Sequence, residues 1–307
     1  MKVLVTGGAG FIGSHLCETL ALQGHEVTCF DNLSTGILEV TKNFASNIKF
    51  IKGDANTTDL NKVFQNDFDW VFHHAFVVGV KRTLENPVSV LEGAKGILNV
   101  MELSRKKNVK RVVFASSSEV YGNPLVVPER EEGPLNAQLP YAVTKLFCEK
   151  CCESYYHEFG MKTCSLRFFN VYGPRQDSSD YGFVVGIFIK QVLASQNPII
   201  FGDGSATRDF VYIDDNIKAT IAAATSNKVD GSAINVGNGK AVTIRELAEK
   251  VIKISGRKLR VEYREERPLD IKHRVADISK MKQQLGFTPQ VTLEEGLKKT
   301  MEYYNGK

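Results

Sequence analysis

A glycine-rich turn near the start of the chain limits the possible folds more than any other feature. An apolar run at residues 3–5 leads into glycines at positions 7, 10 and 13, and the apolar residues that follow have a helical spacing. Gly7 permits a tight turn, Gly10 lets the backbone approach a pyrophosphate, and Gly13 lets a helix pack closely on a strand. The free N–H groups at the start of that helix attract an anion. The pattern predicts a strand–turn–helix unit that holds a dinucleotide; a purely structural glycine turn is the alternative.

An acidic residue at the end of the next predicted strand strengthens this interpretation. Asp31 follows Gly13 by eighteen residues. A carboxylate at this position accepts hydrogen bonds from both ribose hydroxyls and repels a 2′-phosphate, which favours NAD over NADP. Asp54, after the third predicted strand, suits the adenine edge, although an ordinary strand-end cap explains it equally well.

Strand and helix patterns alternate through the first half of the chain. This order is typical of a parallel sheet with helices on both faces, and right-handed crossovers make such a sheet doubly wound. The predicted fold class is therefore α/β. The predicted strands are residues 3–5, 27–30, 48–51, 70–72, 111–115 and 163–168, and the predicted helices are residues 14–23, 97–105 and 141–159.

The pattern loosens beyond residue 167, where loops interrupt shorter elements. We therefore predict a dinucleotide-binding Rossmann domain at residues 1–166, which the chain rejoins near 210–236, with a strand at 233–236. Residues 167–307 are predicted to form mainly a smaller, mixed α/β substrate-binding lobe. Because no clean linker separates the two parts, we expect them to be interleaved.

Composition excludes several classes of protein. Lys and Arg number 39 against 35 Asp and Glu, a small excess that suggests neither a nucleic-acid partner nor a membrane surface. No apolar run approaches the ~18 residues of a membrane span. The N-terminus runs directly into the first strand, which leaves no room for a signal peptide. The six cysteines lie inside predicted elements, as reduced buried thiols do, so a cytoplasmic enzyme is expected.

A Ser, Tyr and Lys constellation follows the fifth predicted strand. Ser117 lies where a doubly wound sheet presents its carboxyl edge to a ligand. Tyr141 and Lys145 have the i, i+4 spacing that sets two side chains on one helical face. An ammonium beside a phenol favours the phenolate, so Tyr141 is expected to have a lowered pKa and to take a proton from a sugar hydroxyl. Ser117 would hydrogen-bond the same oxygen.

These features identify the chain as resembling the extended short-chain dehydrogenases/reductases, in the nucleotide-sugar epimerase/dehydratase branch. The resemblance covers nearly the whole chain, and UDP-glucose 4-epimerases are its nearest type. The segments that carry it are VTGGAGFIGSH at residues 5–15, FDNLSTG at 30–36, SSSEVYG at 116–122, Tyr141 with Lys145, RFFNVYGPRQ at 167–176, and GDG at 202–204 leading to TRDFVY at 207–212.

The resemblance implies NAD as cofactor, a UDP-sugar as substrate, and a homodimer formed by the helices near 97–105 and 141–159. For the substrate it implies contacts from Ser117 and Asn170, diphosphate binding by Arg208 and Arg267, and a nucleoside-side carboxylate at Asp270. Guanidinium groups match phosphate oxygens, although a surface ion pair would also explain each arginine. The implied cofactor-binding residues are Gly7, Gly10, Phe11, Ile12, Gly13, Asp31, Asn32, Ser34, Thr35, Gly36, Asp54, Tyr141 and Lys145.

The sequence departs from the common family pattern at two places. The usual His-Leu-Ala-Ala after the fourth strand is His73-His74-Ala75-Phe76 here, and the usual Asn before the central helix is replaced near Glu92-Gly93. The paired histidines do not predict a metal site, because neighbours on a strand point to opposite faces and suitable ligands are not nearby.

Three reactions share the same first oxidation at sugar C4. A 4-epimerase needs no further acid or base, whereas a 4,6-dehydratase usually has an Asp-Glu pair that Ser118-Glu119 does not supply. A UDP-glucuronate decarboxylase has Ser-Glu at this point and a C-terminal arginine, which Glu119 and Arg274 match. We expect a UDP-hexose 4-epimerase, with a decarboxylase-like or dehydratase-like enzyme that uses Glu119 as the alternative. A non-catalytic NAD-binding regulator on the same fold is a further alternative.

Overall fold

A computed structural model describes residues 1–179, 182–266 and 271–306. Strands and helices alternate in its first half. The elements there are β1 (Lys2–Thr6), α1 (Phe11–Leu22), β2 (Glu26–Asp31), α2 (Leu38–Lys42), β3 (Ile48–Lys52), α3 (Asp59–Val63), β4 (Trp70–His73), α4 (Val80–Glu85), α5 (Pro87–Lys106), β5 (Arg111–Ser117), a 3₁₀ turn (Ser118–Tyr121), α6 (Pro140–Phe159) and β6 (Thr163–Phe168).

The second half contains shorter strands. Its elements are β7 (Asn170–Tyr172), α7 (Val184–Leu193), β8 (Ile199–Phe201), β9 (Thr207–Arg208), β10 (Phe210–Tyr212), α8 (Ile213–Thr225), β11 (Ala233–Val236), β12 (Val242–Thr243), α9 (Ile244–Ser255), β13 (Glu262–Arg264), β14 (His273–Arg274), a π-helical turn (Met281–Leu285) and α10 (Leu293–Asn305).

A seven-stranded sheet, counted over the described residues, organises the molecule. Its strand order is β11-β6-β5-β4-β1-β2-β3, and every pairing in it is parallel. Parallel neighbours must be joined by crossovers, and helices supply them in the first half. The order runs outward in both directions from β1, so the sheet is doubly wound as predicted. The α/β Rossmann architecture is confirmed.

The sheet separates two apolar cores. Val3 and Val5 point to one face, where they pack with α1 and α8, whereas Leu4 points to the other and packs with residues of α3, α5 and α6. Alternation along a strand produces this division, since successive side chains leave opposite faces. Both faces are covered, which explains why the strands read as continuous apolar runs rather than alternating ones.

Local sequence signals set the ends of several helices. Pro87 and Pro140 begin α5 and α6, where a missing backbone N–H costs nothing because the first turn has no acceptor for it. Gly160 ends α6 in the left-handed conformation, with φ of 67°. Thr243 and Thr292 each form a capping box at the start of α9 and α10. Within the described ranges, every helix is too short or too polar to cross a membrane.

The chain returns to the main sheet at β11, which pairs with β6 over residues 233–236. The remaining strands of the second half form small sheets: β10 with β7, β12 with β9 and β14, and β13 with β8. A substrate lobe that begins at residue 167 remains a prediction. Among these short strands, β7 follows β6 directly in the chain and pairs with β10, so these two strands lie beyond the carboxyl edge of the main sheet.

Candidate active site

A cavity of about 1110 Å³ lies at the carboxyl edge of the main sheet. Its wall includes the turn after β1, the ends of β2 and β5, the start of α6 and the segment that contains Asn170. Parallel strands bring these segments together, because their carboxyl ends share one edge. The structure therefore gathers Ser117, Glu119, Tyr141, Lys145 and Asn170 around the same space as the glycine-rich turn.

The glycine-rich turn leaves no room for side chains. Gly7 has φ of 70°, and a Cβ on Gly13 would lie 2.1 Å from the Gly7 carbonyl oxygen. Gly10 is extended and caps α1, so the first N–H groups of that helix open beside the cavity. Phe11, Ile12 and the three glycines all line it. This backbone cradle fits a pyrophosphate at a helix N-terminus.

The carboxylate of Asp31 lies at one end of this cradle. It accepts backbone hydrogen bonds from Ala9 N at 3.0 Å and Leu33 N at 2.7 Å, which fix its orientation. Burial raises the pKa of Asp31, although these two hydrogen bonds oppose the shift. Gly36 packs against the same carboxylate, since a Cβ there would lie 2.9 Å from Asp31 Oδ1. Gly36 is absent from the cavity wall among the described residues, so the structure gives it a supporting place.

A short polar chain continues from Asp31 toward the third strand. Asn32 Nδ2 donates to Asp54 Oδ2 at 3.2 Å, and Ser34 N donates to Asn32 Oδ1 at 2.9 Å. Asn32, Ser34, Thr35 and Asp54 all line the cavity. A glycine cradle with ribose-side carboxylates beyond it matches the chemistry of a dinucleotide, so the residues present fit NAD.

Ser117, Tyr141 and Lys145 lie together at the other end of the cavity. The Ser117 hydroxyl lies beside the Tyr141 phenol and accepts a hydrogen bond from Glu119 N at 3.2 Å. Lys145 is 2% exposed, and its Nζ donates to the Ala115 carbonyl oxygen at 2.6 Å. Tyr141 and Lys145 occupy the first turns of α6, on the face that packs against β5, as their spacing predicts.

Burial dominates the ionisation of these groups. It raises the pKa of Tyr141, and the nearby Ser117 hydroxyl opposes the shift only in part. Burial also lowers the pKa of Lys145 to about 7, against the opposing influence of Cys148 and Glu149. The expectation that Lys145 makes Tyr141 acidic is therefore wrong for the chain alone. The Lys145 ammonium is directed to Ala115 and not to the phenol oxygen.

Glu119 and Arg274 are in contact although they lie far apart in sequence. Arg274 Nη1 is 3.3 Å from Glu119 Oε1, and Arg274 Nη2 donates to the Gly122 carbonyl oxygen at 2.6 Å. Arg274 is 2% exposed, whereas Glu119 remains partly exposed on the cavity wall. Glu129, also buried, lies 4.0 Å from Arg274 Nε. The sequence-based match of Glu119 with Arg274 is thus a real contact at the edge of the cavity.

Not all of the remaining predicted substrate residues line this cavity. Asn170 lines it and donates from Nδ2 to the Asp209 carbonyl oxygen at 3.2 Å. Arg208, on β9, lies outside the described cavity wall, and its Nη1 donates to the Thr207 carbonyl oxygen at 3.0 Å. Arg267 and Asp270 fall outside the described residues.

The two histidines of the fourth strand face opposite sides. His73 Nδ1 lies 2.7 Å from Thr6 Oγ1 and its ring stacks on Phe114, whereas the His74 ring faces Phe168. Burial lowers the pKa of both histidines to about 3, so they are neutral. Over the residues that the structure describes, no group of three or more His, Cys, Asp or Glu is placed to hold a metal ion.

Sequence reasoning missed a segment that crosses the cavity from α1 to α4. His15 Nε2 lies 2.9 Å from the Pro174 carbonyl oxygen, and Arg175 Nη2 donates to both carboxylate oxygens of Glu18 at 2.9 and 2.8 Å. At the far end, Arg82 pairs with Asp177 at 3.3 Å. We call residues 174–177 the strap. Its contact partners lie up to 161 positions away along the chain. The GPRQ motif was therefore the one signal in the sequence that could have indicated this segment.

Comparison with known proteins places this site in context. The chain matches the protein family described as GDP-mannose 4,6 dehydratase over residues 4–300. It belongs to the nucleotide-sugar epimerase/dehydratase family. This family uses NAD. The fold of the chain and the residues of its glycine-rich turn agree with membership of this family.

Three relatives illustrate the range of activities in this family. A UDP-glucose 4-epimerase from Thermotoga maritima, solved with UDP-glucose, is 35% identical, with a TM-score of 0.95 and coverage of 100% of this chain and 99% of that one. A UDP-glucose 4-epimerase from Thermus thermophilus, solved with NAD, is 34% identical, with a TM-score of 0.89 and the same coverages. A UDP-N-acetyl-alpha-D-glucosaminuronate decarboxylase from Bacillus cytotoxicus is 34% identical, covering 99% of this chain and 97% of its own.

Proposed function

We propose that the protein is an NAD-dependent UDP-hexose 4-epimerase, acting on UDP-glucose or UDP-N-acetylglucosamine through a transient 4-keto sugar. The observation that carries this proposal is the placement of Ser117, Tyr141 and the glycine cradle around one cavity, with the Ser117 hydroxyl beside the Tyr141 phenol. This arrangement allows proton transfer at a sugar hydroxyl beside a dinucleotide. The similar epimerases named above support the same reaction.

NAD would lie along the glycine-rich turn with its adenosine end at Asp31. Gly7, Gly10, Phe11, Ile12 and Gly13 would hold the pyrophosphate and pack against it, and Asn32, Ser34, Thr35 and Asp54 would contact the adenosine, with Gly36 supporting Asp31. When bound, the oxidised cofactor accepts a hydride from the sugar and carries a positive charge on its ring.

Tyr141 would act as the acid–base group. Its phenolate accepts the proton of the 4-hydroxyl and the resulting phenol later returns one to the same oxygen, while Ser117 donates a hydrogen bond to that oxygen. Because burial raises the pKa of Tyr141, the phenolate needs positive charge nearby. Lys145 supplies such a charge only while it is protonated, and its pKa of about 7 makes that condition depend on pH.

Asn170, Arg208, Arg267 and Asp270 would bind the UDP-sugar. Asn170 lies on the wall of the cavity, close to the catalytic end, and would contact the sugar or its diphosphate. Arg208 lies on a separate small sheet, so its contact with a diphosphate would extend the site beyond the described cavity wall. Guanidinium groups match diphosphate oxygens in a bidentate manner.

Product analysis tests this function. The purified protein, supplied with NAD, is incubated separately with UDP-glucose, UDP-N-acetylglucosamine and UDP-glucuronate, and products are followed by NMR and mass spectrometry. The proposal predicts a C4 epimer of the same mass from at least one of the two neutral sugars. Loss of carbon dioxide or water as the main reaction would contradict it.

The contact between Glu119 and Arg274 favours a second candidate, decarboxylation of a UDP-uronate. A buried arginine in contact with a cavity carboxylate would suit a reaction in which charge develops at C5 and C6. The decarboxylase relative supports this alternative. Classical 4,6-dehydration lacks its usual Asp-Glu pair here, because Ser118 precedes Glu119. A Glu119→Gln variant separates the candidates: an epimerase keeps its turnover, whereas a decarboxylase loses it.

We also propose that the protein is a homodimer, formed by α5 and α6. These helices lie side by side, and both expose apolar side chains: Val88, Leu91, Leu98, Val143 and Phe147. An apolar face of this kind is costly in water and is covered when a second copy packs against it. A cytoplasmic location remains a prediction, supported by six unpaired cysteines, five of them buried.

A further inference from the structure

The Lys145 ammonium lies among aromatic rings. Its Nζ is 3.7 Å from the centroid of the Phe76 ring, 4.8 Å from that of Phe114 and 5.6 Å from that of Tyr141. Its Nζ also donates a hydrogen bond to the Ala115 carbonyl oxygen. An ammonium this close to a ring face is attracted by the negative charge of the π system, most strongly where water is excluded.

Gly93 makes the position of Phe76 possible. A Cβ on Gly93 would come within 2.9 Å of Phe76 Cε1, closer than real carbon atoms approach. Phe76 also meets Phe114 and Tyr141 edge-on, at 6.2 and 6.4 Å between centroids. Phe76 and Gly93 each lie in one of the two segments where the sequence departs from the common family pattern. The structure brings these two residues together: because Gly93 has no side chain, the Phe76 ring can occupy the space beside it.

We propose that Phe76 is a positioning residue that holds the Lys145 ammonium through a cation–π contact, in the space that Gly93 leaves open. The inference rests on the proposed function, because the charge matters only if Lys145 supports the Tyr141 phenolate. Its consequence is that loss of the ring contact converts Lys145 to the neutral amine at a lower pH.

The other groups around Lys145 do not replace this contact. From α6, Cys148 and Glu149 favour the ammonium. From the end of β4, the two neutral histidines would disfavour it if they became charged. From β5, the Ala115 carbonyl oxygen accepts a hydrogen bond from the ammonium, and the Phe114 ring lies farther from it than the Phe76 ring. Glu119 in the 3₁₀ turn acts on Tyr141. Burial outweighs these influences and lowers the pKa of Lys145 to about 7, so a modest further stabilisation decides its charge at neutral pH.

Fluorination of Phe76 tests the contact without changing the shape of the ring. Mono-, di- and trifluorophenylalanine are incorporated at position 76 of the full chain, since each fluorine weakens the π face stepwise. The pKa of Lys145 is read by NMR of carbon-13-labelled lysine, assigned with a Lys145→Met variant. We expect the pKa to fall stepwise, by about one pH unit for the trifluoro ring. Fluorination of Phe183, which lines the same cavity, is the control and should leave it unchanged.

The pH–rate profile and the NMR titration together separate the possible outcomes of this test. The alkaline limb of the pH–rate profile should move to lower pH in parallel with the NMR pKa, an effect that a purely structural role would not produce. If no UDP-sugar is turned over, the proposed function fails while the NMR titration still tests the contact. A Lys145 pKa that stays constant across the fluorinated series would overturn the inference.

A double-mutant cycle checks the part of Gly93. Gly93→Ala should displace the ring and lower the pKa of Lys145, and so should Phe76→Leu. In the Phe76→Leu background, Gly93→Ala should have no further effect on that pKa, because the contact is already lost. Full additivity of the two shifts would show that Gly93 acts independently of the ring and would contradict the inference.

Discussion

The catalytic edge of the main sheet and the small sheets of the second half are built in different ways. At the catalytic edge, three consecutive residues of β5 are tied to α6: the Ala115 carbonyl to Lys145, Ser116 Oγ to Glu149 at 2.5 Å, and Ser117 to Tyr141. Glu149 also accepts two hydrogen bonds from buried Arg167, at 3.0 and 2.8 Å. Each partner is fixed by another, so this edge has one arrangement.

The second half has short strands and more exposed polar groups. Strands β9, β12 and β14 have two residues each, and β13 is exposed throughout. Arg208 is only partly buried, in contrast to Arg167 in the main sheet. The difference suggests that the chemistry is fixed by buried pairs on long strands, whereas substrate recognition is left to short segments whose side chains can adapt.

Removal of the Tyr141 hydroxyl should have the largest effect on catalysis at this edge of the sheet. Tyr141→Phe should lower kcat by roughly 10²–10⁴-fold, because the acid–base group is lost. Binding of NAD and of the UDP-sugar, measured by calorimetry, should change little. Tyr155→Phe, on the same helix, is the matched control and should retain its activity. Full turnover by the Tyr141 variant would remove this residue from the mechanism.

A side chain at Gly13 tests the backbone cradle. Gly13→Ala would place a Cβ against the Gly7 carbonyl oxygen, which must then move. The affinity for NAD should fall by at least about tenfold, or ~1.4 kcal/mol, as measured by calorimetry on the cofactor-free protein. Gly306→Ala, where the nearest atom is 3.6 Å away, serves as control. Unchanged NAD affinity would mean that the turn does not hold the cofactor.

The second half is probed by Arg208→Gln. If Arg208 binds the diphosphate, KM for the UDP-sugar should rise about tenfold while kcat changes less, since a charged hydrogen bond contributes about 1.5–3 kcal/mol. Arg264→Gln, an exposed arginine of the same half, should leave KM unchanged. A fall in kcat with constant KM would place Arg208 at the chemistry and not at recognition.

The strap joins the two regions, and its contacts should have the smallest effect. Glu18→Gln weakens the pairing with Arg175. The Arg175 side chain is 19% exposed and the Glu18 side chain is 32% exposed. Partly exposed pairs contribute about 0.2–1 kcal/mol, so bound NAD should dissociate only up to about fivefold faster. Release is followed by fluorescence after dilution, with exposed Glu26→Gln as control. A change in kcat without faster release would show that the strap acts on chemistry.

The parts of the molecule that depend on local pattern could be predicted from the sequence. The strand at residues 163–168, the return at 233–236 and the helix that carries Tyr141 follow from periodicity and breakers, and β6, β11 and α6 bear them out. The pairs of distant residues could not be predicted. Arg175 meets Glu18, and Glu119 meets Arg274, only because crossovers bring remote segments to one edge.

The charge of Tyr141 shows a second limit of prediction from the sequence. Residue spacing placed Lys145 on its helical face but could not give the direction of the ammonium or the depth of burial. Both depend on Phe76, in the loop after β4, and on Ala115, in β5. An expectation about pKa therefore needs the packing of several elements, whereas an expectation about a helical face needs only one.

Isotope transfer tests the central claim most directly. UDP-glucose deuterated at C4 is incubated with the protein and NAD in ordinary water, and the products are examined by NMR and mass spectrometry. The account predicts UDP-galactose that still carries deuterium at C4, because the hydride leaves and returns within one protein. Loss of the label to water, or a product with less carbon or oxygen than the substrate, would contradict it.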